Sequence, residues 1–436
     1  MTAEELLREL AGKRLFATPQ EKRKLIEKLA ANTGLLPYPI PIILITGTCG
    51  KGSTTLFLSS ILEAHGFRVG MVQSPHLLSF SERIQVNRTP LSEESILRQI
   101  DELLPALHQS VEPTENHPLG ALNYNQLFLI TGLHLFLQEK ADFVLLETGI
   151  GGYNDPSTFF TPILSIITNV FMDHEAVLGN SFAQIAYDKS GVIKEGVPAI
   201  TGTAVPEALD VLKTEAKSKR APLYCLGEDF SVKAYGGEIL YEEPGFELPY
   251  QLSVNGQFQW DNSSLAIKCC LLLHELGYPI QSKKIAEALA CTELPGRFQV
   301  VGKSPLTVVD GAHNEEEIRR FCETVGKLGC EVNFFILSFS QDKRSEEMLG
   351  WFKGIPAVFL FAPHTNSLRV KDPKELASFL LREYGTEAHV FPSLEHAYLY
   401  AKSKARSTDA IFFTGSMFIA GDALHMLDKI GQDKEN

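Results

Sequence analysis

Ten consecutive residues, Ile45-Thr46-Gly47-Thr48-Cys49-Gly50-Lys51-Gly52-Ser53-Thr54, carry the densest chemical signal in the sequence. An apolar run enters this segment and a helical pattern leaves it. Gly47, Gly50 and Gly52 allow the backbone to turn tightly and to aim N–H groups at an anion. A helix starting there adds the positive end of its dipole. Lys51 has the length to meet terminal phosphates, and Thr48, Ser53 and Thr54 complete the candidate nucleotide contacts. The spacing is shorter than the general P-loop expression. The competing interpretation is a glycine-rich strand–helix turn with a solvated lysine. Cys49 reads as a loop-lining residue rather than a catalytic thiol, since phosphate chemistry needs no such nucleophile.

Three more residues stand where apolar runs end. Glu147 closes residues 143–147, His174 follows the strand-like 164–169, and Ser74 follows the apolar 69–72. In an open α/β sheet, ligand crevices lie at the carboxyl ends of the strands. A turn carboxylate, a structural histidine and a serine before proline are the plainer interpretations. Lys189 sits in residues 181–193, which have helical spacing; there a lysine ordinarily does no more than solvate its helix.

Such residues need a frame, and the chain supplies a repeating one. Short β-rich runs alternate with longer helical patterns, the signature of a parallel sheet covered by helices. Residues 41–46, 143–147, 164–169 and 197–201 read as strands, with a helix over 53–65. A second series begins near Leu306, with strands expected over 307–310, 334–338, 357–361 and 410–414 and helices over 315–328, 373–384 and 394–403. Asn314 is placed to cap the first of these, with Glu315, Glu316 and Glu317 favourable at its N-terminus. Residues 227–256 are rich in aromatic, Gly and Pro residues and suggest a small β excursion of the first domain. Residues 4–31 are amphipathic, a packing pattern. Leu294-Pro295-Gly296-Arg297 breaks the pattern between the two series.

Composition sets outer bounds. The 436 residues exceed one ordinary core and imply two domains. A formal charge of −13 argues against a general nucleic-acid scaffold. Seven cysteines show no paired metal-ligand spacing. Residues 1–10 are polar and acidic rather than signal-like, and the apolar runs are too short to cross a bilayer as helices. These features predict a cytoplasmic protein with reduced thiols and with neither nucleic-acid nor membrane partners.

The form Gly-Thr-x-Gly-Lys-Gly-Ser resembles that of the folylpolyglutamate and dihydrofolate synthases in the Mur ligase superfamily. The resemblance continues in order through Ser74-Pro75-His76-Leu77, Glu82-Arg83-Ile84, Leu146-Glu147-Thr148-Gly149-Ile150-Gly151-Gly152, Thr168-Asn169-Val170-Phe171-Met172-Asp173-His174 and Asp188-Lys189-Ser190-Gly191-Val192-Ile193-Lys194. It resumes at Pro295-Gly296-Arg297-Phe298-Gln299, Asp310-Gly311-Ala312-His313-Asn314 and Thr414-Gly415-Ser416, spanning nearly the whole chain.

The resemblance implies an α/β protein with a P-loop-containing, Mur-ligase-like N-terminal domain over residues 1–296. A smaller, Rossmann-like α/β ligase domain would follow over 297–436. It implies ATP- and magnesium-dependent addition of glutamate to a folate or dihydropteroate carboxylate, through an acyl phosphate, by a monomeric enzyme. Ser74, Glu147 and His174 would hold magnesium, and Lys189, as a carbamate, would hold a second ion. Asn262 would lie near the nucleotide base, Arg297 would reach phosphate, and Asp310 would contact nucleotide. His313 would lie near the incoming amino acid and, with Lys51 and Lys189, make up the catalytic set.

Some positions depart from the family form. Cys49 stands where asparagine is usual. Tyr153-Asn154-Asp155-Pro156-Ser157-Thr158 replaces Arg-x-Asp-Ala-Thr-Asn, and Tyr124-Asn125-Gln126 replaces a Phe-Glu stretch. The acceptor therefore stays open at this level, as does the order of addition: dihydrofolate synthesis, later glutamates, or both. A divergent Mur-family amide ligase and an inactive nucleotide-binding regulator are the alternatives.

Overall fold

The computed structural model describes residues 2–11, 18–112, 120, 122–366 and 369–435. The chain divides into two compact units. One is Met1–Leu252 with Trp260–Thr292, and the other is Ser253–Gln259 with Glu293–Asn436. The break in the chain after Thr292 falls ahead of the Pro-Gly turn, and residues 253–259 associate with the second unit.

The first unit is organised by an eight-stranded sheet. Its strands are β1 (Ile42–Thr46), β2 (Val69–Val72), β3 (Ile84–Val86), β4 (Thr89–Pro90), β5 (Phe143–Glu147), β6 (Leu164–Ile167), β7 (Ala199–Thr201) and β8 (Leu223–Cys225). Their order is β4-β3-β2-β5-β1-β6-β7-β8. Strands β2, β5, β1, β6, β7 and β8 run parallel, and β3 and β4 add an antiparallel edge. Every residue of β1 and β6 is buried, as expected of parallel strands covered by helices on both faces. β1 lies in the middle, and the chain leaves it toward β2 on one side and returns as β6 on the other. Its carboxyl end is therefore a topological switch point, where open α/β sheets bind ligands.

Residues 4–31 form two helices, Ala3–Ala11 and Pro19–Asn32; residues 12–17 lie outside the described residues. The second has a complete capping box between Thr18 and Glu21. The aromatic-rich excursion is a three-stranded antiparallel sheet of β9 (Ser231–Tyr235), β10 (Glu238–Glu243) and β11 (Phe246–Tyr250).

The second unit holds a six-stranded sheet of order β12-β13-β17-β14-β15-β16. These strands are β12 (Gln299–Lys303), β13 (Leu306–Val309), β14 (Asn333–Leu337), β15 (Ala357–Phe361), β16 (Ala388–Val390) and β17 (Ala410–Thr414). All pairs are parallel except β12–β13. Phe298, Phe321, Phe335, Phe352 and Phe412 fill one face of its core. A buried phenylalanine contributes roughly 1.5–3 kcal/mol of transfer free energy, so this cluster holds the helices to the sheet.

The structure moves several expected boundaries. The helix after the phosphate loop begins at Lys51 rather than at 53, because Gly50 is its N-cap at φ 80°. β6 stops at Ile167, since Thr168 and Asn169 leave the sheet to bond the phosphate loop. The helical pattern over 181–193 is the helix Phe182–Lys189 followed by a tighter 3₁₀ turn, Ser190–Val192.

Candidate active site

The phosphate loop is shaped by neighbours that leave no room for side chains. A Cβ at Gly47 would stand 1.8 Å from Thr168 Oγ1, and one at Gly50 would stand 2.2 Å from Asn262 Oδ1. Positive φ at Gly50 adds the backbone strain that only glycine escapes. The loop is braced by hydrogen bonds as well. Thr168 Oγ1 donates to Cys49 O at 2.6 Å, and Asn169 Nδ2 donates to the same oxygen at 3.0 Å. Cys49 N–H donates to Asn169 Oδ1 at 2.9 Å, and Phe171 N–H donates to Thr48 Oγ1 at 3.0 Å. Thr148 Oγ1 donates to Thr46 Oγ1, which donates to Gly151 O, tying the ends of β1 and β5 together. Asn262 lies inside the helix Phe258–Glu275, buried against Gly50.

Lys51 Nζ donates to Gly47 O at 3.0 Å and Thr48 O at 3.2 Å, folding back over its own loop. Ser53 and Thr54 turn inward, and the Thr54 hydroxyl has no partner among the described residues. The first turn of the helix Lys51–Ala64 thus offers backbone amides and an ammonium to an anion, while its hydroxyls face the interior.

Beside the loop, Ser74 and Glu147 line one open pocket with Gln73, Arg83, Asn125 and Ser157. The parallel pairing of β2 with β5 puts them side by side, since Val72 is in register with Leu146. Glu147 Oε2 comes within 3.7 Å of where a Gly52 Cβ would be, so the carboxylate stands at the start of the phosphate-binding helix. Arg83 is fixed on one wall. It donates to His76 Nδ1 at 2.8 Å and to Asn125 Oδ1 at 3.0 Å, and its guanidinium lies 4.8 Å from the Tyr124 ring centroid.

His174 reaches the same sheet edge seven residues beyond β6, as the left-handed N-cap of the short helix Glu175–Leu178. Its side chain is 38% exposed and 3.8 Å from Asp173 Oδ2. Among the described residues no group of three His, Cys, Asp or Glu side chains is arranged to hold a metal ion. The expected donor set is of another composition: one carboxylate, one hydroxyl, one imidazole and a modified lysine. Its oxygen donors suit magnesium, and the cradle of Gly47, Gly50 and Lys51 beside them suits the phosphates magnesium accompanies.

Lys189 is not a solvated surface lysine; it is 2% exposed. Burial first, and then the nearby Lys51 ammonium, lower its amine to about 7, with Asp173 and Asp188 partly opposing them. The same segment is held close to the glycines after β5. Gly152 N–H donates to Asp188 Oδ1 at 2.7 Å, and a Cβ on Gly152 would lie 2.7 Å from Lys189 O. Asp155 anchors the other end of that strap by accepting from Gly149 N–H at 2.8 Å.

In the second unit, Asp310 follows β13 and is buried. Its Oδ2 accepts from Phe298 N–H at 2.7 Å and its Oδ1 from Ala312 N–H at 2.8 Å, which joins the Pro-Gly-Arg-Phe turn to the loop after β13. Burial raises its carboxyl to about 6 despite Arg297 and those amides. His313 lies in the same loop, and Asn314 caps the helix Glu315–Gly326 as its sequence suggests.

Within the first unit, then, the structure brings together the phosphate loop, Asn262, Ser74, Glu147 and Lys189. Arg297, Asp310 and His313 share one loop region of the second unit. Sequence reasoning left Thr168, Asn169, Asp155 and Asp188 without roles, although all stand within the quoted motifs. Thr168 and Asn169 follow the end of β6, and Asp155 and Asp188 bond the glycines after β5; that proximity to the glycines marks them as braces.

A P-loop sheet paired with a ligase domain defines a class, and the comparisons specify it. Residues 296–417 match the family described as Mur ligase, glutamate ligase domain. The dihydrofolate synthase/folylpolyglutamate synthase of Bacillus subtilis (strain 168) is 29% identical, covering 91% of this chain and 93% of its own. Bifunctional folylpolyglutamate synthase/dihydrofolate synthase from Yersinia pestis, complexed with AMPPNP and Mn ion, superposes with a TM-score of 0.84 at 26% identity, covering 98% of both chains. Escherichia coli FolC in complex with DHPP and ADP gives 0.85 at 25% identity, again over 98% of both chains. The protein is an ATP-dependent ligase of the Mur ligase superfamily. Within it, the chain belongs to the folylpolyglutamate synthase/dihydrofolate synthase family.

Proposed function

We propose that this enzyme adds glutamate to the carboxylate of a folate or dihydropteroate acceptor, using ATP and magnesium. The observation that carries this reading is the placement of Glu147 and Ser74 beside the glycine-lined phosphate loop, in a pocket that Arg83 also lines. A carboxylate is too weak an electrophile for an amine. Transfer of the terminal phosphoryl group makes it an acyl phosphate; the glutamate amine then attacks the carbonyl carbon and phosphate departs.

The chain's own groups have separable tasks. The amides of residues 47–52 and the Lys51 ammonium hold the phosphates and meet the charge that develops during transfer. To do so, Lys51 leaves the carbonyls of Gly47 and Thr48 for phosphate oxygens. Bound magnesium would neutralise phosphate oxygens, with Ser74, Glu147 and His174 as its ligands. Lys189, its buried amine lowered to about 7 and so partly neutral there, would take up carbon dioxide and lose a proton to become an anionic oxygen ligand for a second ion. Asn262 would border the base, Arg297 and Asp310 would serve the nucleotide, and His313 the incoming amino acid. No helix among the described residues is long and apolar enough to cross a membrane. A cytoplasmic monomer completes the proposal.

The test is ADP release with dihydropteroate, tetrahydrofolate or no acceptor, each with glutamate. Acceptor-dependent release with formation of the glutamyl amide is expected. Release that ignores both acceptors, or none at all from protein that binds ATP, would overturn the assignment.

A further inference from the structure

His313 has a neighbour that its sequence motif does not include. The helix Glu315–Gly326 begins with Asn314 as N-cap, whose side chain accepts from Glu317 N–H at 3.0 Å. A glutamate at the third helical position ordinarily reaches back to the N–H of the cap residue. Here Glu317 reaches one residue further. Its Oε2 accepts from His313 N–H at 3.1 Å and lies 3.0 Å from His313 Nδ1.

The second neighbour of Nδ1 is Gly311 O, at 2.9 Å. A carbonyl oxygen can only accept, and so can an ionised carboxylate. Two acceptors around one ring nitrogen require that nitrogen to carry the proton. In the neutral ring, Nε2 is then left with its lone pair. Glu317 is ionised in this setting. Burial alone would raise its carboxyl, but the His313 ring and N–H groups, with Arg297, hold it well below the usual carboxylate range. The two side chains differ in access: that of His313 is 26% exposed and that of Glu317 14%.

We propose that Glu317 is a positioning residue that fixes His313 as the Nδ1–H tautomer, leaving Nε2 to take a proton from the incoming amine. The proposal rests on the reading of His313 as the residue beside the amino-acid substrate. An amino acid arrives as an ammonium, which has no lone pair with which to attack a carbonyl. One N–H bond of the ammonium breaks and its electron pair stays on nitrogen. The proton bonds to the Nε2 lone pair, and the imidazolium so formed faces the Glu317 carboxylate. The ring later returns the proton to water. Gly311 O by itself would also accept from Nδ1–H, but it supplies no charge opposite the imidazolium and does not fix the ring from the helix side.

The experiment uses the intact enzyme and four variants. Histidine tautomers are read by two-dimensional ¹⁵N–¹H NMR with labelled histidine, the His313 signals being assigned by their loss in His313→Gln. Glu317→Ala leaves Gly311 O as an acceptor, so it should lower the Nδ1–H fraction without abolishing it, and lower kcat by roughly 10–100-fold, with KM for ATP little changed. Glu317→Gln, which keeps an acceptor oxygen without charge, should keep the tautomer and recover part of kcat. Glu315→Gln removes a neighbouring first-turn charge without touching His313 and should change neither reading. An unaltered tautomer in Glu317→Ala would overturn the proposal. So would an altered tautomer with unaltered kcat, or a loss of kcat matched by Glu315→Gln. If the wild-type chain ligates no amino acid, the functional reading falls and the catalytic part of this proposal falls with it. The NMR arm then still decides whether Glu317 sets the His313 tautomer.

Discussion

Lys51→Met keeps most of the side chain's length and removes its charge, so it isolates what the ammonium does. In the loop, Nζ donates to Gly47 O and Thr48 O at 3.0 and 3.2 Å. Hydrogen bonds from a charged donor contribute about 1.5–3 kcal/mol net. Lys51 is half-buried and its two bonds share one ammonium, so their joint loss falls at the low end of that range. At roughly 2–4 °C per kcal/mol for units of this size, melting should fall by only a few degrees. Turnover should respond far more. Removing a donor aimed at developing charge in a transition state costs about 2.7–4 kcal/mol, or about 10²–10³ in kcat. The assay is ADP release at saturating ATP, acceptor and glutamate, with melting followed in parallel. A folded Lys51→Met enzyme turning over within about fivefold of the parent would refute the assignment of this lysine to the transferring phosphates.

Thr168→Val deletes the 2.6 Å bond to Cys49 O, to which Asn169 also donates, so ATP should bind more weakly, by about 1 kcal/mol in titration calorimetry. Unchanged affinity would mean that the brace does not shape the loop. Gly152→Ala sets a methyl 2.6 Å from Asp188 O and 2.7 Å from Lys189 O, both backbone atoms. Overpacking of this sort costs about 1–3 kcal/mol, and a clear drop in melting temperature is expected. Lys189 gives a pH prediction. Its amine is held to about 7, chiefly by burial, so carbamate formation and turnover should rise as pH increases through 7, faster with added bicarbonate. The sign for stability agrees: the cost of burying the charged amine is fully present below about pH 7 and fades as pH rises toward 10.5, the ordinary value. Labelled bicarbonate should mark Lys189 in a carbon NMR spectrum; no label, with full activity in Lys189→Ala, would reject the carbamate. In that variant acetate should restore part of the lost turnover.

The sequence by itself determined the elements and the chemistry of the phosphate loop. Strand and helix periods are local properties, and β5, β15 and β17 occur at the very residues their apolar runs marked. Glycines flanking a lysine between a strand and a helix restrict the backbone to conformations that bind anions, whatever surrounds them. The capping of a helix by Asn314 was equally local. Only the tertiary structure decided which distant residues meet that loop. Thr168 and Asn169 were written in the sequence as the continuation of a strand, and it is the pairing of β1 with β6 that carries them to Cys49. Lys189 has the spacing of a solvated helix residue, and its burial follows from packing against the glycine strap after β5, far away in sequence. Asn262 meets Gly50 across more than two hundred residues. The register of Nδ1 between Gly311 O and Glu317 was hidden for a different reason. A histidine and a glutamate four apart are common, and the backbone turn that aims both acceptors at one nitrogen exists only once the loop after β13 is folded.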